Sequence, residues 1–246
     1  PHVQVTDEQR NPPVQPAERV YEAVAFHGLR PEDDVRGILN PTAAVARLRA
    51  WVPGALSAGL ALQGVARYGG AERGVQIMGI EPADAVQVSQ IGEDMVAGRF
   101  EELDAAGFSV VIGDRLARRL SAEIGDSIRL TTATGVARQF KVVGLFHTGI
   151  VASDESLVYV RLKSAQVLAA RQNAVNDIRI RLRNPDSARL IAARTEEMLG
   201  YKSVSWQEAN EDLLEAFQIR NVIMYTVVAA ILVVAGFGIF NIVSII

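Results

Sequence analysis

From Val222 to Ile246 the chain reads VIMYTVVAAILVVAGFGIFNIVSII, 25 residues without a charged side chain. About 20 such residues suffice to cross the hydrocarbon core of a bilayer, where a helix satisfies its own backbone polar groups. A buried core helix is the competing reading, but such helices are usually shorter and carry an apolar stripe rather than apolar residues all round. The sequence therefore predicts a transmembrane helix over 222–246, with Tyr225 near the interface and Arg220 closing the polar side. Gly236, Gly238 and Asn241 fall where small and polar side chains mark contact with another membrane helix. One span makes no pathway alone, so partner helices are expected.

The remainder must fold outside the bilayer. With 49% hydrophobic residues in 246, the chain can bury one large core or two small ones. A formal net charge of -3, with acids and bases interspersed, argues against nucleic acid as a partner. The absence of cysteine excludes thiol catalysis, disulfide scaffolding and thiolate metal sites within this chain. The chain begins at Pro1 without a basic and apolar leader, and it reads as an excerpt of a longer polypeptide.

The hydrophobic periodicity before the span alternates between strand and helix, an α+β pattern. His2–Val5 alternates like a short strand and is followed by a Pro-rich loop, NPPVQPAER. Residues 18–40 are the least regular. Asn40 and Pro41 mark an N-cap and first turn for the helix TAAVARLRAW, which Pro53 and Gly54 end. ALSAGLALQGVARY and RGVQIMGI read as a hairpin joined by GGAE. Phe108–Ile112 is a short strand, Asp114 is placed to cap the helix RLARRLSAEI, and Gly125-Asp126 turns the chain into the strand SIRLTT. A tight turn around Gly135 leads to QFKVVGLF; then come a strand at Leu157–Val160, the helix LKSAQVLAARQ and the strand DIRIRL. A helix over Asp186–Leu199 and the strand YKSVSW complete the series. A β-rich middle, 84–173, thus lies between two α/β pieces. The last helix starts near Gln207, carries Leu213, Leu214, Phe217 and Ile219, and meets no Gly or Pro before Gly236. Continued to Ile246 it would extend about 60 Å, twice the hydrocarbon thickness, and could act as a stalk that transmits movement.

Catalytic chemistry is sparse. Neither a GxxxxGK[ST] loop nor a GxGxxG fingerprint occurs. His2, His27 and His147 are far apart in sequence and lack HExxH spacing, so a metal site would require ligands that converge in space. His147, after an apolar strand, reads as a strand-end residue. Ser153-Asp154-Glu155-Ser156 could offer cation ligands, but a polar turn before a strand explains it more simply. Glu32, Asp33 and Asp34 read as a solvated loop, and Gly98-Arg99-Phe100 as a turn with a packing Phe rather than an anion contact. No catalytic, cofactor-binding or metal residue is assigned and no cofactor is expected. The apolar residues of 55–80 could touch an amphiphile, but core packing explains them equally well, so the binding residues stay unknown.

Several segments combine into a resemblance: VQIMGIEP (75–82), MVAGRF (95–100), SVVIGDRLARRLSAEIGDSIRL (109–130), FKVVGLFHTG (140–149), SDESLVYVRL (153–162) and WQEANEDLLEAF before the apolar stretch. In this order they resemble the MacB-like external core domain of FtsX-like ABC transporter permeases, of the LolC, LolE or MacB type. The resemblance spans about 50–246 and is weak over 1–49. It implies a Porter subdomain of strand-helix-strand units (1–83 and 174–206), an inserted β-rich Sabre subdomain (84–173), a stalk helix (207–221) and a transmembrane helix (222–246). It further implies a bacterial inner-membrane protein with residues 1–220 in the periplasm.

The implied function is that of a permease subunit, not itself an enzyme. Its periplasmic domain would couple hydrolysis by a cytoplasmic ABC ATPase subunit to export or release of lipoproteins or other amphiphiles. A second permease copy or a homologous permease, and a periplasmic protein or lipoprotein, would be its further partners. The alternative within the family is a mechanotransmission module that regulates a periplasmic partner without transport; a membrane-anchored enzyme finds no support beyond scattered carboxylates. The resemblance to LolC breaks at one place. LolC carries a long Pro-containing hook that captures the lipoprotein chaperone, whereas this chain has the short turn Thr132–Arg138, TATGVAR. A chaperone hook is not expected, and LolE-like or MacB-like permeases fit this feature.

Overall fold

The computed structural model describes residues 1–9, 37–105, 107–211, 220, 222–232 and 235. The Pro-rich loop, His27, the acidic run 32–34, Leu213, Leu214, Phe217, Ile219, Gly236, Gly238 and Asn241 lie outside the described residues. The chain divides into two units, Pro1–Ser205 and Trp206–Ile246.

In the first unit β1 (Val3–Gln9) precedes α1 (Pro41–Trp51) and the hairpin β2 (Gly54–Tyr68) and β3 (Ala71–Ile80). Then follow α2 (Pro82–Val88), β4 (Met95–Gly98), α3 (Glu102–Ala105), β5 (Ser109–Gly113), α4 (Asp114–Leu120), β6 (Ser127–Thr132) and β7 (Ala137–Phe146). The series ends with α5 (Val151–Ser156), β8 (Leu157–Arg161), α6 (Leu162–Leu168), β9 (Asp177–Leu182), a 3-10 turn, α7 (Ala188–Leu199) and β10 (Tyr201–Ser205).

The strands form one mixed sheet in the order β10-β1-β9-β2-β3-β8-β5-β7-β4, with β6 pairing both β2 and β7. That double pairing closes a ring of six strands, β2-β3-β8-β5-β7-β6. Alternation explains why it holds together. Val75 and Ile77, Val110 and Ile112, Ile128 and Leu130, Phe140 and Val142, and Val158 and Val160 each project to one shared core at a spacing of two residues. Leu116 and Leu120 of α4 and Leu168 of α6 join the same core. The opposite faces of four of these strands are also covered: Met78, Val111, Phe146 and Tyr159 pack with Ala85 of α2 and Leu103 of α3. The parallel pairs β3·β8 and β5·β7 are thus buried on both sides, as parallel strands require.

The long strand β2 connects this ring to the remaining strands. Its first part, Gly54–Gly59, pairs β9, and its last part, Gly64–Arg67, pairs β6. Between them Ala61 pairs β3 on one side and has no strand on the other. Asn176 fills the gap: its Oδ1 accepts from the Ala61 N–H at 2.7 Å and its Nδ2 donates to the Ala61 carbonyl at 2.9 Å.

Several local expectations are corrected. The hairpin loop is Gly69-Gly70 alone, with φ of 55° and 88°, because two left-handed residues match the twist of the flanking strands. Ala71 and Glu72 already belong to β3. Asn40 holds the N-cap position of α1 but has left-handed backbone, φ 47°, and makes no capping bond; a side-chain cap needs extended backbone at that residue. Asp114 does not cap α4 from outside but is its first residue, and Gly113 occupies the N-cap. Ser153–Ser156 is not a turn: it makes up the last four residues of the helix α5.

In the second unit α8 (Trp206–Ala209) is a single turn, after which the Asn210 amide donates to the Trp206 carbonyl at 2.7 Å. Residues 222–232 are helical and exposed. Among the described residues no helix is long and apolar enough to cross a membrane, so the span expected over 222–246 is not established by the structure.

Candidate functional site

Two features of the first unit could act on something else. One is an open groove of about 420 Å³ between α1 and α6. Val45 and Ala46 of α1 and Leu162 of α6 give it apolar walls, while Arg49, Lys163 and Glu81 stand at its rim. Burial pushes the Glu81 carboxyl up, against the opposing pull of Arg161. The lining contains no histidine and offers contact rather than chemistry.

The second feature is a cluster of Asp114, His147 and Asp154, each of which offers one potential ligand atom, the three atoms lying within 4.8 Å of one another. Strand register builds it. β5 and β7 run parallel with Gly113 opposite Phe146, so the residues that follow them, Asp114 and His147, emerge side by side. From His147 the chain turns at Gly149, φ 78°, into α5, which brings Asp154 back over the strand ends. Gly113 permits that approach: a Cβ there would stand 2.1 Å from the Asp154 carbonyl oxygen.

The three side chains differ in environment. Asp154 is fully buried, and its Oδ1 accepts from both the Thr148 N–H and the Thr148 hydroxyl at 2.8 Å. Its Oδ2 lies 3.2 Å from His147 Nδ1 but makes no hydrogen bond. The same Nδ1 is hydrogen-bonded to Asp114 Oδ1 at 3.2 Å, and Arg118 donates to Asp114 Oδ2 at 2.8 Å. Burial by itself would raise the Asp114 carboxyl; the hydrogen bond with His147 and the charges of Arg118 and His147 outweigh it and hold the carboxyl below its ordinary range. The His147 side chain is 42% exposed, so the cluster opens to solvent on one side.

The other candidates separate. His2 accepts a backbone hydrogen bond from Leu182 at 3.0 Å and serves the sheet. Arg99 is exposed beside Glu101, and Phe100 is buried edge-on against Tyr159. Glu155 leaves the cluster to pair with Arg119 at 2.6 Å. Within 55–80, Leu56, Leu60, Val75, Ile77, Met78 and Ile80 are buried in the core. Sequence reasoning passed over the convergence of Asp114, His147 and Asp154; the usable signal was that Asp114 and His147 each come directly after an apolar strand.

The sequence profile of the MacB-like periplasmic core domain family matches residues 3–198. The lipoprotein-releasing system transmembrane protein LolC of Neisseria meningitidis serogroup B is 31% identical over 178 residues, covering 68% of this chain and 43% of that protein. A LolC of Xylella fastidiosa is 26% identical over 177 residues, covering 68% of this chain and 42% of its own length. The chain therefore spans less than half the length of these relatives. Among solved structures, the periplasmic region of MacB from Actinobacillus actinomycetemcomitans has a TM-score of 0.55 at 9% identity, covering 87% of this chain and 92% of that one. The extracellular domain of the noncanonic ABC-type transporter YknZ from Gram-positive bacteria has a TM-score of 0.51 at 14% identity, covering 66% and 88%. At these identities the two structures establish a common fold.

Proposed function

This chain belongs to the MacB-like periplasmic core domain family, and on that premise we propose that it is the external domain of an ABC transporter permease, followed by a membrane helix over 222–246. The observation that carries the reading is the family match over 3–198, which runs from β1 almost to the end of α7. The exposed apolar helix at 222–232 adds to it, since such a surface is stable in lipid and not in water. The domain stands in the periplasm, the helix in the inner membrane, and ATP is hydrolysed by a cytoplasmic partner subunit. A second permease, identical or homologous, completes the membrane path, and the cargo is a lipoprotein or another amphiphile. The names of the LolC relatives support this cargo class, and no comparison favours mechanotransmission without transport.

Within the domain we divide the chain as 1–83 with 174–206 and the insert 84–173, the hairpin β2–β3 serving both. The connection from β6 to β7 is only Ala133–Val136, which supports a permease that lacks a chaperone-capturing hook between these strands. Topology can be tested with a single introduced cysteine, since this chain contains none and any cysteine elsewhere in the full-length protein can be replaced first. A cysteine at exposed Glu123 of the full-length protein should react with a membrane-impermeant maleimide in intact spheroplasts. Labelling that appears only after lysis would overturn the external placement.

A further inference from the structure

We infer that Asp114, His147 and Asp154 form a binding site for a divalent transition-metal cation of the zinc type. The inference starts from Asp154. Its side chain is fully buried, one oxygen is held by Thr148, and the other, Oδ2, faces the cluster without a hydrogen bond. A buried carboxylate oxygen left in this state is costly, and a single proton on His147 Nδ1 cannot remedy it, because that proton serves one acceptor and Asp114 Oδ1 is bonded to the same nitrogen. A cation between the three groups serves all of them at once.

The spacing fits. Tetrahedral zinc, with bonds of about 2.0–2.2 Å to nitrogen and oxygen, holds neighbouring ligand atoms roughly 3.3–3.6 Å apart. His147 Nδ1 lies 3.2 Å from Asp114 Oδ1 and 3.2 Å from Asp154 Oδ2, within a few tenths of an ångström of that spacing, and a carboxylate oxygen of each aspartate lies within 4.8 Å of the other. Two carboxylates balance the charge of the ion. An imidazole beside them favours zinc, nickel or copper over magnesium and calcium, which prefer oxygen alone. Arg118 engages the second oxygen of Asp114, and Thr148 engages the second oxygen of Asp154, so each carboxylate keeps one oxygen for the ion and has the other fixed from behind. The solvent-facing side of His147 leaves the fourth position for water. A bound ion would clasp α4, the end of β7 and α5 together.

The test is a calorimetric titration of Zn²⁺ into the full chain, purified in detergent and stripped with chelator, with Co²⁺ absorption as the report of coordination. The native protein should bind one equivalent and give the intense visible bands of tetrahedral cobalt. His147→Gln changes an exposed side chain; its thermal midpoint without metal checks its folding, and it should lose the site. Thr148→Val, which removes the hydroxyl that orients Asp154, should weaken binding by about 10–100-fold. His2→Gln should bind as the native chain does. Absence of binding to the native protein, or zinc affinity that persists in His147→Gln, would overturn the inference. Neither result bears on the permease assignment, which rests on the family match over 3–198 as a whole and not on metal binding.

Discussion

Asn176 shows how one side chain can complete a sheet. Its amide supplies both hydrogen bonds that a strand would have given Ala61, at the point where β2 changes neighbours from β9 to β6. Asn176→Ala should lower stability by about 1–3 kcal/mol in urea denaturation, because it leaves a half-buried N–H and C=O without partners. Asp114 makes a different prediction. Its folded carboxyl lies below the ordinary 3.8, so the stabilisation it provides is present in full above that pH and is lost as the pH falls through the lower folded value. Thermal melts of the native chain and Asp114→Asn should therefore differ near neutrality and converge as the pH drops well below 4, the reverse of what a raised carboxyl would give. The contributions of these residues were poorly visible beforehand. Asp114 and His147 are 33 positions apart, and nothing local announces that β5 and β7 are parallel neighbours.

Among the elements, the strands were the most legible, because alternation of the kind seen in Val75–Ile77 or Ile128–Leu130 is a local property and survives in the fold as the inward face of the ring. Closure of that ring by β6 was not legible. It depends on pairing Gly64–Arg67 with residues more than sixty positions away, a contact that alternation permits but does not specify. The helix α5 was missed for another reason: six residues, no side-chain cap and a polar second half have the composition of a turn, and it is tertiary contact at Gly113 and Thr148 that holds it. The apolar helix makes the prediction of this scale. The double variant Val228→Lys/Leu232→Lys places two charges one turn apart on residues that are exposed in the structure. At a cost of about 2.5–3.5 kcal/mol for each lysine deep in a bilayer, it should shift the protein from the membrane to the soluble or aggregated fraction, whereas Val228→Leu/Leu232→Val should not. Equal membrane integration of both variants would count against a span in 222–246.

For the molecule as a whole, the fold class was legible in the order of its segments, which resemble FtsX-like permeases over about 50–246, and family membership agrees with it over 3–198. The cargo was not legible: on the proposed reading the surface that would hold it is shared with other subunits. A ten-stranded domain with strands buried on both faces is poorly suited to internal deformation, and this favours movement as a body. On the proposed reading this body responds to an ATPase subunit outside this chain. The direct measurement is a distance: one spin label at Glu123 on each permease of the reconstituted full-length transporter, recorded without nucleotide and with ATP bound. Coupling predicts that the distance distribution moves between the two states and returns after hydrolysis. A distribution that stays the same in every nucleotide state, in a complex that hydrolyses ATP, would contradict it.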